Sequence, residues 1–192
     1  VVLYRGHLPC DVLFIGEAPG ESEDGLGIPF IGDSGRCLEK LWNQALFSAG
    51  YPAVVSDPDG AIRESFTETG INPSYGITNI VACIPRHPGE HATGELRPPT
   101  KTEAEACRPR LIEILEMANP QLIALLGDTA KRFFPKTHNT PTRTKLNRWN
   151  GKLLHLVHPA AIIRQENLSH AQVMSKRFVL SLAAELKEIK DA

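Results

Sequence analysis

A chain of 192 residues with 42% hydrophobic and 22% charged residues has the length and balance of one domain with a real core, which excludes a disordered or fibrous chain. No apolar run approaches the ~20 residues of a membrane-spanning helix, and nothing at the start reads as a signal peptide. Four cysteines, Cys10, Cys37, Cys83 and Cys107, with no Cys-x-x-Cys pair, point away from a secreted disulfide framework and toward a reducing, cytoplasmic setting.

The apolar run Val12-Leu13-Phe14-Ile15 predicts a buried strand of a parallel sheet. It runs into Gly16-Glu17-Ala18-Pro19-Gly20-Glu21-Ser22-Glu23-Asp24 and on to Pro29-Phe30. Pro19 and Gly20 stop the strand, so this turn falls at a strand's carboxyl end, where open α/β sheets hold their ligands. The stretch lacks the Gly-Lys-Ser/Thr ending of a P-loop, and Glu17, Glu21, Glu23 and Asp24 would repel a phosphate. A neutral ligand bounded by carboxylates, backbone donors and the face of Phe30 suits it; the alternative is an acidic surface loop near a core phenylalanine.

Further along, a periodic segment at 37–47 predicts a helix, and 50–75 a long irregular connection. Residues 76–82 predict a second strand, 86–100 another loop, and 103–117 an amphipathic helix capped by Thr100 or Thr102. A third strand at 122–127, a short helix at 128–134, a fourth strand at 152–157 and a closing helix at 169–189 complete the chain. Alternating strands and helices predict a three-layer αβα fold around a mostly parallel sheet of about four strands, with residues 1–192 as a single domain.

The net charge of −1 conceals an asymmetry: residues 1–96 carry 5 basic against 13 acidic residues, and residues 97–192 carry 16 against 9. Within 131–152, Lys131, Arg132, Lys136, Arg143, Lys145, Arg148 and Lys152 occur without an acid, interleaved with Phe133, Phe134 and Trp149. Basic residues among aromatics are the footprint of a nucleic-acid backbone; a solvated loop balancing the acidic half is the alternative. Asn79, in an otherwise apolar strand, offers an amide donor and acceptor that match a pyrimidine edge, or caps a neighbouring loop. His158-Pro159-Ala160-Ala161-Ile162-Ile163-Arg164 combines a potential donor, a rigid turn, two aliphatics and a cation, as suits insertion into a duplex.

Taken in order, Gly16-Glu17-Ala18-Pro19-Gly20-x-x-Glu23, Pro29-Phe30, Thr78-Asn79-x-x-x-Cys83, Leu126-Gly127 and His158-Pro159-x-x-x-x-Arg164 resemble the uracil-DNA glycosylase superfamily, most closely its iron–sulfur group, family 4. The resemblance implies cleavage of the bond between uracil and deoxyribose in single- or double-stranded DNA, with the nucleotide flipped out of the stack. It implies that Phe30 stacks on the base, Asn79 reads its edge, and Gly16, Ala18, Pro19 and Gly20 border it. His158 would donate to uracil O2, and Glu17, or second Glu23, would position water. Ile162, Ile163, Arg164, Lys145 and Arg148 are the expected DNA contacts of a monofunctional, monomeric enzyme.

Family 4 holds a 4Fe-4S cluster on four cysteines, of which Cys83 and Cys107 match the later two. The N-terminal pair would fall before Val1, and two cysteines cannot hold such a cluster. A structural cluster is therefore expected only if two upstream cysteines are missing from this chain, and the chemistry needs no cofactor. The competing functions are a catalytically weak DNA-binding module of the same fold and a variant that traps abasic sites covalently.

Overall fold

The computed structural model describes residues 1–52, 72–87, 94–134 and 151–191. Its sheet has five strands, β1 (Arg5–Gly6), β2 (Val12–Gly16), β3 (Tyr75–Asn79), β4 (Leu122–Leu126) and β5 (Lys152–Leu156), in the order β1-β3-β2-β4-β5. The four longer strands are mutually parallel, as the alternating pattern predicts. The fifth, β1, pairs antiparallel with β3, Arg5 opposite Ile77 and Gly6 opposite Gly76. A strand of two residues has no alternation to read in sequence.

Among the described residues six helices flank the sheet: α1 (Glu21–Leu26), α2 (Asp33–Ser48), α3 (Lys101–Ala118), α4 (Gly127–Phe133), α5 (Pro159–Ile163) and α6 (Leu168–Asp191). Successive strand residues point to opposite faces. Val12, Phe14, Leu122, Ala124 and Leu126 meet Leu41, Trp42 and Ala45 of α2 and Phe178 and Leu182 of α6. Leu13, Ile15, Ile123 and Leu125 meet Leu111, Ile114 and Leu115 of α3 and Ala130 of α4. Both faces are thus dry, which explains why these strands read as continuous apolar runs.

The chain leaves β2 toward β3 on one side and returns past β2 to β4 on the other. Right-handed crossovers therefore put α2 and α3 on opposite faces, and the connections leaving β2 and β4 wind in opposite directions across the sheet. The crevice beyond their carboxyl ends is where such folds bind ligands.

Two helices escaped the sequence pattern. α1 buries none of its residues, so it carries no apolar period. α5 is a single short turn entered through His158 and Pro159. At α3 the cap is Thr100, whose hydroxyl accepts from Glu103 N–H at 3.2 Å, while the Glu103 carboxylate takes the Thr100 N–H at 2.8 Å, a reciprocal capping box. Phe133 and Phe134 differ from their expected place beside nucleic acid: Phe134 is buried in the α3-side core and Phe133 packs against it. Lys152 pairs with Glu185 at 3.3 Å and with Glu188. Lys131 and Arg132 are exposed in the last turn of α4; residues 135–150 of the basic stretch, with Lys145, Arg148 and Trp149, lie outside the described residues, as does most of the loop expected at 50–75.

Candidate active site

The loop after β2, the end of β3, the start of α4 and the turn into α5 surround one cleft of about 780 Å³. Glu17, Ala18, Pro19, Gly20 and Glu23 form one wall, Phe30 and Asn79 line it deeper in, and His158 and Arg164 face them. His158 and the loop after β2 are far apart in sequence; they line one cleft because β2 and β5 flank β4 in register, with Leu125 beside both Ile15 and His155.

Local sequence explains how each side chain is held. Phe30, 5% exposed, has φ 55°, in the left-handed region that non-glycine residues rarely adopt. Arg5 from β1 donates to its carbonyl at 3.1 Å and pairs with Glu39 of α2 at 3.0 Å. Burial raises the Glu39 pKa while Arg5 opposes that shift. A side chain at Gly35 would overlap the Phe30 carbonyl, and one at Gly16 would meet Asn79 Oδ1 and the Phe30 ring edge, the latter at 2.7 Å. Only glycine lets β2 pass beneath both groups.

Glu23 does not hang free into the cleft. Its carboxylate accepts from Gly20 N–H at 3.0 Å and Gly32 N–H at 3.3 Å, pinning the loop after β2 to the segment that follows Phe30. Glu17 lies on the loop itself, where its carbonyl accepts from Val81 N–H at 3.2 Å.

Asn79 is 1% exposed, and with Thr78 it makes up the buried polar pair among the described residues. Thr78 donates to Leu3 O at 2.7 Å, whereas Asn79 Oδ1 has no hydrogen-bond partner among the described residues. An orphaned buried amide oxygen beside a cleft requires a reason, and an absent donor is the ordinary one.

His158 caps α5: its Nδ1 accepts from Ala160 N–H at 3.2 Å. An Nδ1 that accepts leaves the proton of the neutral ring on Nε2, which is then a donor. Burial, helped by nearby Arg164, lowers the His158 pKa to about 4, so the ring is neutral at physiological pH. Gly127, at φ 86°, admits the imidazole closely; a side chain there would meet His158 Cβ at 3.1 Å.

Of the aliphatic pair expected at DNA, Ile162 is corrected: it is 7% exposed and belongs to the core under α5, whereas Ile163 is 47% exposed. On a helical turn adjacent residues face apart, which the sequence stretch alone did not resolve. Arg164 follows at the helix end and lines the cleft. Sequence reasoning missed Asp128 and His155, which line the same cleft with Nε2 and Oδ1 3.5 Å apart. It also missed Arg97, held by Glu103 at 2.7 Å, and Arg86, held by Glu21 at 2.6 Å. Arg97 thereby ties the loop before α3 to the first turn of α3, and Arg86 ties its other end to the start of α1; neither has a sequence signal beyond charge.

The iron–sulfur cluster implied by the resemblance needs four thiolates. Cys37 packs on the α2 side of the sheet and Cys10 is buried on the α3 side, with Tyr4 Oη 3.8 Å from its sulfur. Cys83 is exposed and Cys107 half-buried on α3, three residues before Arg110 on the same helix. Among the described residues no three Cys, His, Asp or Glu side chains gather as metal ligands. The four cysteines of this chain do not fit the group, and no step below passes through it.

A doubly wound α/β domain whose strand ends bring an aromatic face, an unsatisfied amide and a neutral imidazole around one cleft defines a binder of flat, uncharged heterocycles. The sequence profile described as the uracil DNA glycosylase superfamily matches residues 5–186. The type-4 uracil-DNA glycosylase of Thermotoga maritima is 31% identical over 87% of this chain and 73% of its own. That of Archaeoglobus fulgidus is 30% identical over 85% and 72%, and that of Saccharolobus solfataricus 31% identical over 76% and 56%. The chain belongs to the uracil DNA glycosylase superfamily.

Proposed function

We propose that the protein is a uracil-DNA glycosylase of base-excision repair: it takes uracil out of the DNA stack and hydrolyses its N-glycosidic bond, leaving an abasic site. The observation that carries this reading is the pairing of an orphaned Asn79 Oδ1 with a neutral His158 across one cleft. Uracil presents an N3–H donor and an O4 acceptor on one edge, which an amide satisfies with its oxygen and nitrogen together. Cytosine presents a lone pair at N3, which would face Asn79 Oδ1 and leave it unsatisfied, a costly mismatch for a buried acceptor.

The C1′–N1 bond breaks with its electron pair moving to the uracil ring, chiefly to O2, while positive charge develops on the sugar. His158 Nε2–H, directed at O2, stabilises that anion without transferring a proton, and one preorganised donor of this kind is worth roughly 3–4 kcal/mol. Phe30 offers its face to the base. A water then adds to C1′ and its proton, passed through solvent, neutralises the departed uracil anion; Glu17 is the group we assign to position the water, while Glu23 acts by holding the loop that carries Glu17. Ile163 occupies the space left by the flipped nucleotide and Arg164 meets the backbone, with Lys145 and Arg148 as further phosphate contacts. No lysine is needed as nucleophile, and these residues supply the chemistry without a cofactor. We place the enzyme in the cytoplasm as a monomer; among the described residues no helix is long and apolar enough to cross a membrane.

The test is incubation with a uracil-containing single-stranded oligonucleotide followed by alkaline cleavage of abasic sites. A strand break that requires both uracil and His158 supports the reading. Intact DNA with retained binding would leave a damage-recognition module, and a heat-stable protein–DNA adduct would indicate covalent trapping.

A further inference from the structure

The β1–β3 ladder ends at Arg5–Ile77, but β3 runs on to Thr78 and Asn79. Beyond that point the guanidinium of Arg110, on α3, takes the place of a neighbouring strand. Its Nη2 donates to the carbonyls of Asn79 at 2.5 Å and Ile80 at 3.0 Å. Its Nη1 donates to Thr78 Oγ1 at 3.2 Å and, more weakly, to Leu3 O at 3.4 Å. From the other edge, Ile80 N–H donates to Gly16 O at 2.9 Å and Val81 N–H to Glu17 O at 3.2 Å. The peptide that carries Asn79 is therefore gripped on both sides, by the loop after β2 and by Arg110.

These hydrogen bonds of Arg110 all end on uncharged oxygens, although a half-buried cation is more cheaply accommodated beside a carboxylate. Packing alone does not call for a guanidinium there; a fixed main chain does, because the Asn79 side chain leaves the same residue whose carbonyl Arg110 holds. We infer that Arg110 is a positioning residue for base recognition, holding the Asn79 backbone so that the amide presents its edge to the flipped base. The inference rests on the reading of Asn79 as the amide that meets uracil. Displacements near 1 Å at such a group can cost about 10²-fold in rate.

The experiment measures Arg110→Met, Arg110→Lys, Asn79→Ala and the double variant Arg110→Met/Asn79→Ala. For each, kcat/KM on a uracil oligonucleotide, inhibition by free uracil, affinity for abasic-site DNA and Tm are recorded. Arg110→Met should lower kcat/KM by about 10- to 100-fold and weaken inhibition by uracil, with abasic-site affinity within about twofold of the parent. Arg110→Lys should recover part of the loss, since an ammonium still donates to one carbonyl. The double variant should be no worse than Asn79→Ala, because both substitutions remove one interaction. Additive losses, or equal weakening toward uracil and abasic DNA, would make Arg110 a general brace and overturn the inference. If Asn79→Ala leaves uracil inhibition unchanged, the base-edge reading itself fails, and that outcome is distinct from an Asn79-dependent, Arg110-independent result. Should Arg110→Met fail to fold, Arg110→Lys decides: weakened uracil inhibition at constant abasic-site affinity supports the inference, and no change refutes it.

Discussion

The rings of Phe30 and His158 lie 5.8 Å apart, centroid to centroid, at an interplanar angle of 36°. A base sandwiched between two rings needs roughly 7 Å, two contacts of about 3.5 Å. A base lying on Phe30 therefore meets His158 with its edge, which is the geometry of a hydrogen-bond donor and not of a second stacking face.

On the proposed reading His158 has two separable roles, cap and donor. In His158→Asn the shorter amide keeps an oxygen for the Ala160 N–H, since Asn is among the best N-caps, but it does not extend a donor as far as Nε2. Excision should fall by about 10²–10³-fold with little change in Tm or DNA affinity, read by single-turnover kinetics and thermal melting. Parallel loss of Tm and DNA binding would assign His158 to the cap alone.

The depressed pKa of His158 has a signed consequence for stability. In the unfolded chain the ring titrates near the ordinary 6.5, whereas in the folded chain it does so at about 4. Between those values the unfolded state binds the extra proton, so stability rises with pH across this window, is complete above it, and is lost as pH falls from about 6.5 to 4. The group's share is on the order of 3 kcal/mol or less. Denaturant midpoints from pH 7 down to 4 should decline more steeply in the parent than in His158→Asn. An imidazole titration by NMR with its midpoint near 6.5 would refute the assignment.

Gly16→Ala tests the close approach of β2 to the site. The added methyl would meet Asn79 Oδ1 and the ring edge of Phe30, so both groups must move. We expect uracil excision to drop at least about tenfold while circular dichroism retains the parent's secondary structure. Activity within about twofold of the parent would place those two side chains outside base recognition.

Ile163 and Ile162 separate wedge from core. Ile163→Ala should slow excision from a duplex more than from a single strand, because only the duplex has a vacated stack to fill. Ile162→Ala removes a buried side chain and should cost about 2–5 kcal/mol of stability with no such strand preference. Equal effects of Ile163→Ala on both substrates would remove it from the duplex contact.

Replacing Arg5 by Ala frees the Phe30 carbonyl and leaves Glu39 without its partner. The left-handed conformation of Phe30 then loses its restraint, and KM should rise more than kcat falls if Phe30 serves base binding. An unchanged KM would limit the Arg5–Glu39 pair to folding.

Much of this protein was legible before its fold. Val12–Ile15 and Leu122–Leu126 announced themselves as strands because both sheet faces are covered, and the order of the motifs around Gly16, Asn79 and His158 named a superfamily. Residues such as β1 and α1 stayed hidden because a two-residue strand and a helix without a buried face generate no periodicity. Sequence likewise put Glu17 first and Glu23 second for positioning water; what it did not carry are the two backbone amides, from Gly20 and Gly32, that only folding brings to Glu23.

The sequence by itself determined the α/β alternation, the motif residues Glu17, Phe30, Asn79 and His158 of the cleft and the chemistry they are suited to, since these depend on side-chain type and local spacing. The tertiary structure alone decided which nitrogen of His158 carries the proton, which of Ile162 and Ile163 reaches solvent, and that Arg5 and Arg110 hold Phe30 and Asn79 from behind. The first two follow from how the chain turns into α5 and caps it at Ala160, and the arginine contacts from segments distant along the chain; no local pattern encodes a partner that only the sheet order brings near.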